Sequence, residues 1–145
     1  GVRSESLCYL YDIYPTVCDL LQIQPVASVT GRSLLPVLQN PEQKHRDQLF
    51  LAYNSFQRDL VKDNWRYTIY NVDGVVTEQL FDLSNDPDEM INLATDAKYA
   101  FKKDAYKRIL KEEMKKNNDF CDLDRHFWRG KPGKMTWEEA LKLYN

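Results

Sequence analysis

The chain has 145 residues, 43% of them hydrophobic and 12% aromatic, enough to bury one core and too apolar for a disordered tail. A formal net charge of −2 gives no bulk attraction to nucleic acid or to anionic membrane, and no apolar run approaches the roughly 18 residues of a membrane span. Three cysteines, Cys8, Cys18 and Cys121, with no C-x-x-C pair, imply neither a disulfide framework nor a zinc site and are expected as buried thiols.

In chain order, Gly1 stands where a methionine would open a reading frame, and the first thirty residues read as the interior of a longer protein. This predicts a cleavage product or a tagged segment. Asp12 is placed to cap a helix of about three turns, with Pro15 in its first turn and Ile13, Val17, Leu20 and Leu21 at helical spacing through Ile23. The following loop, 24–31, is unusually apolar for a solvated connection, with Val26 and Val29, and is expected to lie against another surface. Ser33 and Pro36 then open a short helix through Leu38. Of the two histidines, His45 sits between Lys44 and Arg46 and His126 beside Phe127, contexts of surface or packing residues rather than half of a catalytic dyad.

Polar residues between Asn40 and Arg46 mark a subdomain boundary, after which four strands are expected over 48–53, 56–62, 65–71 and 75–83. Asp63-Asn64 and Asp73-Gly74 fit tight hairpins, so the strands form an antiparallel meander. Alternation puts Trp65, Tyr67 and Ile69 on one face and Arg66, Thr68 and Tyr70 on the other, so one face needs a cover. A helix from Thr95 or Asp96 to about Lys116 supplies it, through Phe101, Ala105, Ile109, Tyr106 and Leu110. Between sheet and helix, Asn85-Asp86-Pro87 stops the last strand, and a short helix is expected from Pro87. The acids of this turn lack the glycine and distal glutamate of an EF-hand loop, and turn plus cap accounts for all of them without a metal. Beyond Asn117, Thr136 has capping-box spacing for a last helix, with Trp128 and Trp137 docking the tail. The fold class is therefore α+β: a four-stranded antiparallel sheet covered by a long C-terminal helix, with additional helices at both ends.

No G-x-S-x-G, phosphate-binding glycine loop, H-E-x-x-H or paired Cys/His set occurs. One non-enzymatic alternative is a free-standing interaction or nucleic-acid-binding module using the basic helix 98–116. Its lysines are equally those of a solvated helix face whose stems shield the apolar stripe, and no nucleic-acid motif accompanies them.

Four stretches in order carry a family resemblance. They are Asp12-Ile13-Tyr14-Pro15-Thr16 running into Leu20-Leu21-Gln22-Ile23; Gly31-Arg32-Ser33-Leu34-Leu35-Pro36-Val37-Leu38; Gln57-Arg58 through Asn64-Trp65-Arg66-Tyr67; and Gln79-Leu80-Phe81-Asp82-Leu83 with Asp86-Pro87, Glu89 and Asn92-Leu93-Ala94. Together they cover about residues 8–94 and resemble the C-terminal end of a sulfatase of the alkaline-phosphatase-like superfamily. The resemblance implies that 1–40 ends a large catalytic domain, that 41–116 is the C-terminal sheet and helix, and that 117–145 is a C-terminal extension. It implies calcium and a formylglycine in an N-terminal domain of the parent, absent from this chain, since none of the three cysteines begins C-x-P-x-R. The implied partners are that catalytic domain and a sulfated substrate, carbohydrates among the candidates, with no nucleic acid and no membrane. No catalytic and no metal residue is carried over, and the chain alone is expected to be inactive. Gln57 and Arg58 are the substrate-binding candidates, Arg58 through the planar fork that suits a sulfate or an anionic sugar. The competing role for Arg58 is an ion pair with Asp59 or Asp82.

Overall fold

The computed structural model describes residues 1–72, 75–119 and 121. The chain divides into two compact units, Gly1–Leu49 and Phe50–Asn145. The Asp73-Gly74 turn, the expected helix at Thr136 and the docking of Trp128 and Trp137 lie outside the described residues.

In the first unit a 3-10 turn, Leu10–Asp12, runs into α1 (Ile13–Leu20), and α2 (Leu35–Gln39) follows. Asp12 does not cap α1 with its side chain. Its fully buried carboxylate instead accepts from the backbone N–H groups of Tyr9 and Arg32, both at 2.8 Å, and from Arg46 Nε at 2.9 Å and Nη2. His45 Nε2 lies 3.3 Å from the same carboxylate, so this histidine packs inside. Thr16 extends the network: its hydroxyl donates to the Asp12 carbonyl at 2.6 Å and accepts from the Leu34 N–H at 2.8 Å. The Arg46 guanidinium also lies 4.7 Å over the Tyr9 ring, which stacks on Tyr11. Gly31 passes so close that a Cβ there would fall 2.5 Å from the Tyr11 carbonyl oxygen, which explains a glycine just before Arg32.

This network sets the orientation of α1. Its buried residues are Pro15, Thr16 and Cys18, whereas Ile13, Val17 and Leu20, and Leu21 just beyond, are exposed. The helix also stops earlier than expected. Gln22 adopts φ 56°, the Gln22 N–H donates to Asp19 O at 3.1 Å and the Ile23 N–H to Cys18 O at 2.8 Å, a Schellman closure built without glycine. Cys18 is buried as expected, but Cys8, ahead of the first helical turn, is exposed.

The sheet has the order β1-β2-β3-β4, with β1 (Gln48–Tyr53), β2 (Gln57–Lys62), β3 (Trp65–Val72) and β4 (Val75–Asp82). All four strands fall where alternation placed them. At the β2–β3 turn Asp63 and Asn64 both take positive φ, 47° and 58°, the primed geometry that matches strand twist. That turn fixes the register, with Leu60 opposite Tyr67 and Arg58 opposite Ile69; across the next pairing Tyr67 faces Leu80.

A 3-10 turn, Ala97–Tyr99, started by the Asp96 side chain accepting from the Lys98 N–H, leads into α3 (Ala100–Lys116). The core is Leu60, Tyr67, Ile69 and Leu80 from the sheet against Tyr106, Leu110 and Met114 from α3. The buried stripe of α3 is thus phased on 106, 110 and 114, and Phe101, expected within it, is 91% exposed. A position five residues before Tyr106 falls off the i, i+4 row. The Tyr106 hydroxyl donates to Lys62 O at 2.8 Å, and burial pushes its pKa up to about 12.

The helix expected at Pro87 does not form. Residues 83–95 carry only turns, and Glu89 takes φ 55°. The Asp86 carboxylate accepts from the Met90 and Ile91 N–H groups, Asn92 Oδ1 accepts from Leu80 and Ala94, and Leu93 N–H donates to Leu80 O. The segment is stitched to the edge of β4, so its backbone donors are spent before a helix can use them.

The Asp12 network generates a pH prediction. Burial opposes ionisation of Asp12, but the hydrogen bonds from Arg46, Arg32 and Tyr9 outweigh it and hold the carboxyl well below the usual carboxylate range. Its folded pKa is depressed, so its stabilisation is complete above the unfolded value of about 4 and is lost as pH falls below it. Asp12→Asn, which leaves Arg46 without its buried anion, should lower stability by about 3 kcal/mol at pH 7 and flatten the acid limb of a melting-temperature profile. An unchanged acid limb would remove Asp12 from this role.

Candidate functional site

Because side chains alternate along β2, Gln57 and Arg58 point to opposite faces of the sheet and do not form one site. Arg58 is on the α3 side, 4% exposed. Its Nη1 donates to Asn54 O at 2.8 Å and Gln57 O at 2.7 Å, while Nε and Nη2 grip the Asp119 carboxylate and Nη2 also reaches Cys121 Sγ at 2.8 Å. Its ion-pair partner is therefore Asp119, not Asp59 or Asp82. Asp59 sits on the other face, and Asp82 binds the Ser84 N–H and the Asn85 amide within its own turn. Asp119 reaches Arg58 because α3 ends in a second Schellman closure, with Asn118 at φ 54° and the Asp119 N–H donating to Met114 O at 2.8 Å. Burial raises and the Arg58 guanidinium more than offsets, so the Asp119 carboxyl sits below its usual range; burial pushes the Cys121 thiol up to about 11.

On the opposite face Gln57 Nε2 donates to Asp59 Oδ2 at 2.9 Å. Asp59, 3% exposed, also accepts from Thr68 Oγ1 at 2.5 Å and from Arg66 Nη2 at 3.3 Å. Arg66 Nη1 in turn holds both carboxylate oxygens of Glu89, at 3.0 and 3.2 Å. Desolvation works against the Arg66 charge, but Asp59 and Glu89 together raise its pKa. This chain of ions clamps the 83–93 segment to the sheet. The tight turn at Asp63-Asn64, which sets Asp59 opposite Thr68, was the sequence signal for its sheet half; nothing local announced Glu89.

The first unit presents a third feature. A shallow cleft of about 600 Å³ is lined by Leu10, Tyr11, Ile13, Tyr14, Val29 and Gly31. It adjoins the outward residues of α1, among which Leu20 is 57% and Leu21 63% exposed, with Val26 in the following loop 62% exposed.

Among the described residues, the cysteines and His45 do not pair as nucleophile and base. Cys121 holds its proton firmly, Cys18 is buried, and His45 is committed to the Asp12 cluster. Among the described residues no three His, Cys, Asp or Glu side chains converge as a cation cage, so the donor set does not fit the calcium expected of the wider family. Nor is any described helix long and apolar enough to cross a membrane.

Comparison with known proteins places this geometry. The family model described as N-sulphoglucosamine sulphohydrolase, C-terminal, matches residues 1–118. The chain is similar to Arylsulfatase K of Gallus gallus, 41% identical over 111 residues, covering 65% of this chain and 21% of that protein. It is also similar to a sulfatase of Formosa agariphila, 30% identical over 110 residues, covering 76% and 21% respectively. Among solved structures, a 2-O GAG sulfatase superposes with a TM-score of 0.58 at 28% identity, over 74% of this chain and 25% of that one. A protein in complex with its substrate D-glucosamine-2-N,6-O-disulfate shares the fold, with a TM-score of 0.65 at 24% identity over 78% and 25%. The chain thus spans about a fifth of the length of these curated relatives. It belongs to the N-sulphoglucosamine sulphohydrolase C-terminal family, and its sheet and covering helix are a sulfatase C-terminal subdomain.

Proposed function

We propose that this chain completes a sulfuric-ester hydrolase whose catalytic domain is encoded upstream, and that the enzyme cleaves sulfate esters on a carbohydrate. The observation that carries the reading is the apolar surface of α1 and the 24–31 loop, where Ile13, Val17, Leu20, Leu21 and Val26 face water while Asp12, Thr16 and Cys18 face inward. Burying four such side chains against a partner recovers about 1.5–3 kcal/mol each. The sulfate chemistry, with calcium and formylglycine, belongs to the upstream domain, and a sulfated sugar is the substrate class that the family description favours.

Within that enzyme we assign Gln57 to the border of the substrate cleft, where its amide, oriented by Asp59, would meet the organic part of the substrate. Arg58 acts as a positioning residue: it ties β2, the Asn54 turn and the end of α3 together, and so fixes the strand that carries Gln57.

Expression of the contiguous upstream reading frame tests the reading. A domain with C-x-P-x-R or S-x-P-x-R and sulfatase activity only when joined to this chain supports it; a start codon just upstream with no such domain overturns it. In the joined enzyme, Leu20→Glu with Leu21→Glu should abolish activity, yet change the stability of the isolated chain by no more than about 0.5 kcal/mol, as expected of exposed positions. Equal effects in both would show that α1 packs within the chain itself. Gln57→Ala should raise KM about tenfold, the cost of one polar contact to an anionic sugar, with little change in melting temperature. Arg58→Ala should instead destabilise by about 3 kcal/mol, since it strands Asp119.

A further inference from the structure

The lysines of α3 and the turn before it differ in what they touch. Lys103 and Lys107 are spent on Glu78, at 3.5 and 3.4 Å, and the Tyr67 hydroxyl closes on the same carboxylate at 2.5 Å. Burial would raise the Glu78 pKa, but Tyr67 and these two lysines lower it. Lys116 is spent on Glu113. Lys98 and Lys102 have no carboxylate partner among the described residues; the Asp96 carboxylate is occupied by the Lys98 backbone N–H. Their ammonium groups rest on aromatic rings. Lys102 Nζ is 4.1 Å from the Trp65 centroid and 5.8 Å from that of Tyr106, and Lys98 Nζ is 5.2 Å from that of Tyr99. Trp65 and Tyr99 stand 5.6 Å apart, tilted by 48°, and both are only half-buried.

We infer that Lys98, Lys102, Trp65 and Tyr99 form a subsite for a sulfated sugar, an inference that rests on the sulfated-carbohydrate reading above. Positions 98 and 102 are four apart and share one side of the chain as it enters the helix, at the end whose backbone dipole favours anions. A cation held only by a ring quadrupole keeps its N–H donors for an oxyanion, and that charge-assisted bond is the stronger one. The exposed parts of the half-buried ring pair give the C–H groups of a pyranose an apolar surface beside the lysines, which take its sulfates. Nucleic acid fits less well. Its affinity comes from neutralising many phosphates, and one pair of lysines on a chain of net charge −2 supplies few.

The test titrates the isotope-labelled full chain with a heparin-derived hexasaccharide, its fully desulfated counterpart and an oligonucleotide of matched charge. The sulfated probe alone should shift the amide signals of Trp65, Lys98, Tyr99 and Lys102. Lys98→Gln with Lys102→Gln should weaken binding about tenfold, the order of one charge-assisted contact. Lys115→Gln with Lys116→Gln, an equal change of charge at the far end of α3, should leave affinity unchanged. Lys98→Gln alone, at an exposed position that cannot upset folding, should give an intermediate loss. No binding, equal binding of the desulfated sugar or the oligonucleotide, or equal weakening by both double variants would overturn the subsite. Each of those results leaves the sulfatase reading standing, because that is decided by the activity of the joined enzyme.

Discussion

Everything in the first unit turns on one buried carboxylate. Asp12 is enclosed, so it must be satisfied, and it takes its donors from the chain before it, from Arg32 and from Arg46. A helix starting beside such a centre has its polar side fixed inward, and here Thr16 completes that side one turn later. The apolar residues of α1 then have nowhere to go but outward. An ordinary surface helix buries its apolar stripe; this one leaves Ile13, Val17 and Leu20 exposed.

The second unit is closed where the first is open. Its sheet packs the apolar residues of β2, β3 and β4 against α3 on one face, and on the other Asp59, Arg66 and Glu89 pair in sequence. The two arginines of the β2–β3 hairpin, Arg58 and Arg66, do similar work on opposite faces: each brings a distant carboxylate onto the sheet, one from the end of α3 and one from the 83–93 segment. Breaking either would leave a charge poorly solvated, a larger penalty than the loss of an exposed pair. The sheet is thus a frame that fixes both ends of the chain leaving it.

The strands were legible because period-two alternation and turn chemistry act within a few residues, and the long helix because its caps and spacing do the same. Asp63-Asn64 announced its own geometry. What escaped the sequence was decided at longer range. Asp12, Pro87 and Glu89 look like capping residues, and the same side chains serve equally well in a turn; the choice was made by Arg46, thirty-four residues away, and by the backbone of Leu80. The Arg58 partner was missed for the same reason, since Asp119 is sixty-one positions distant. Phe101 misled because hydrophobicity marks a residue but not its phase on the helix. The sulfatase relationship was legible from four short stretches because their order and spacing, rather than any one of them, are specific.

We propose that a catalytic domain covers the outward face of α1 and the 24–31 loop. The direct measurement is amide hydrogen exchange over residues 10–31, in this chain alone and joined to its upstream-encoded domain. The account predicts slower exchange across this stretch in the joined protein, with little change over the sheet core around Leu60 and Leu110. Exchange over residues 10–31 at the same rate in both would contradict it.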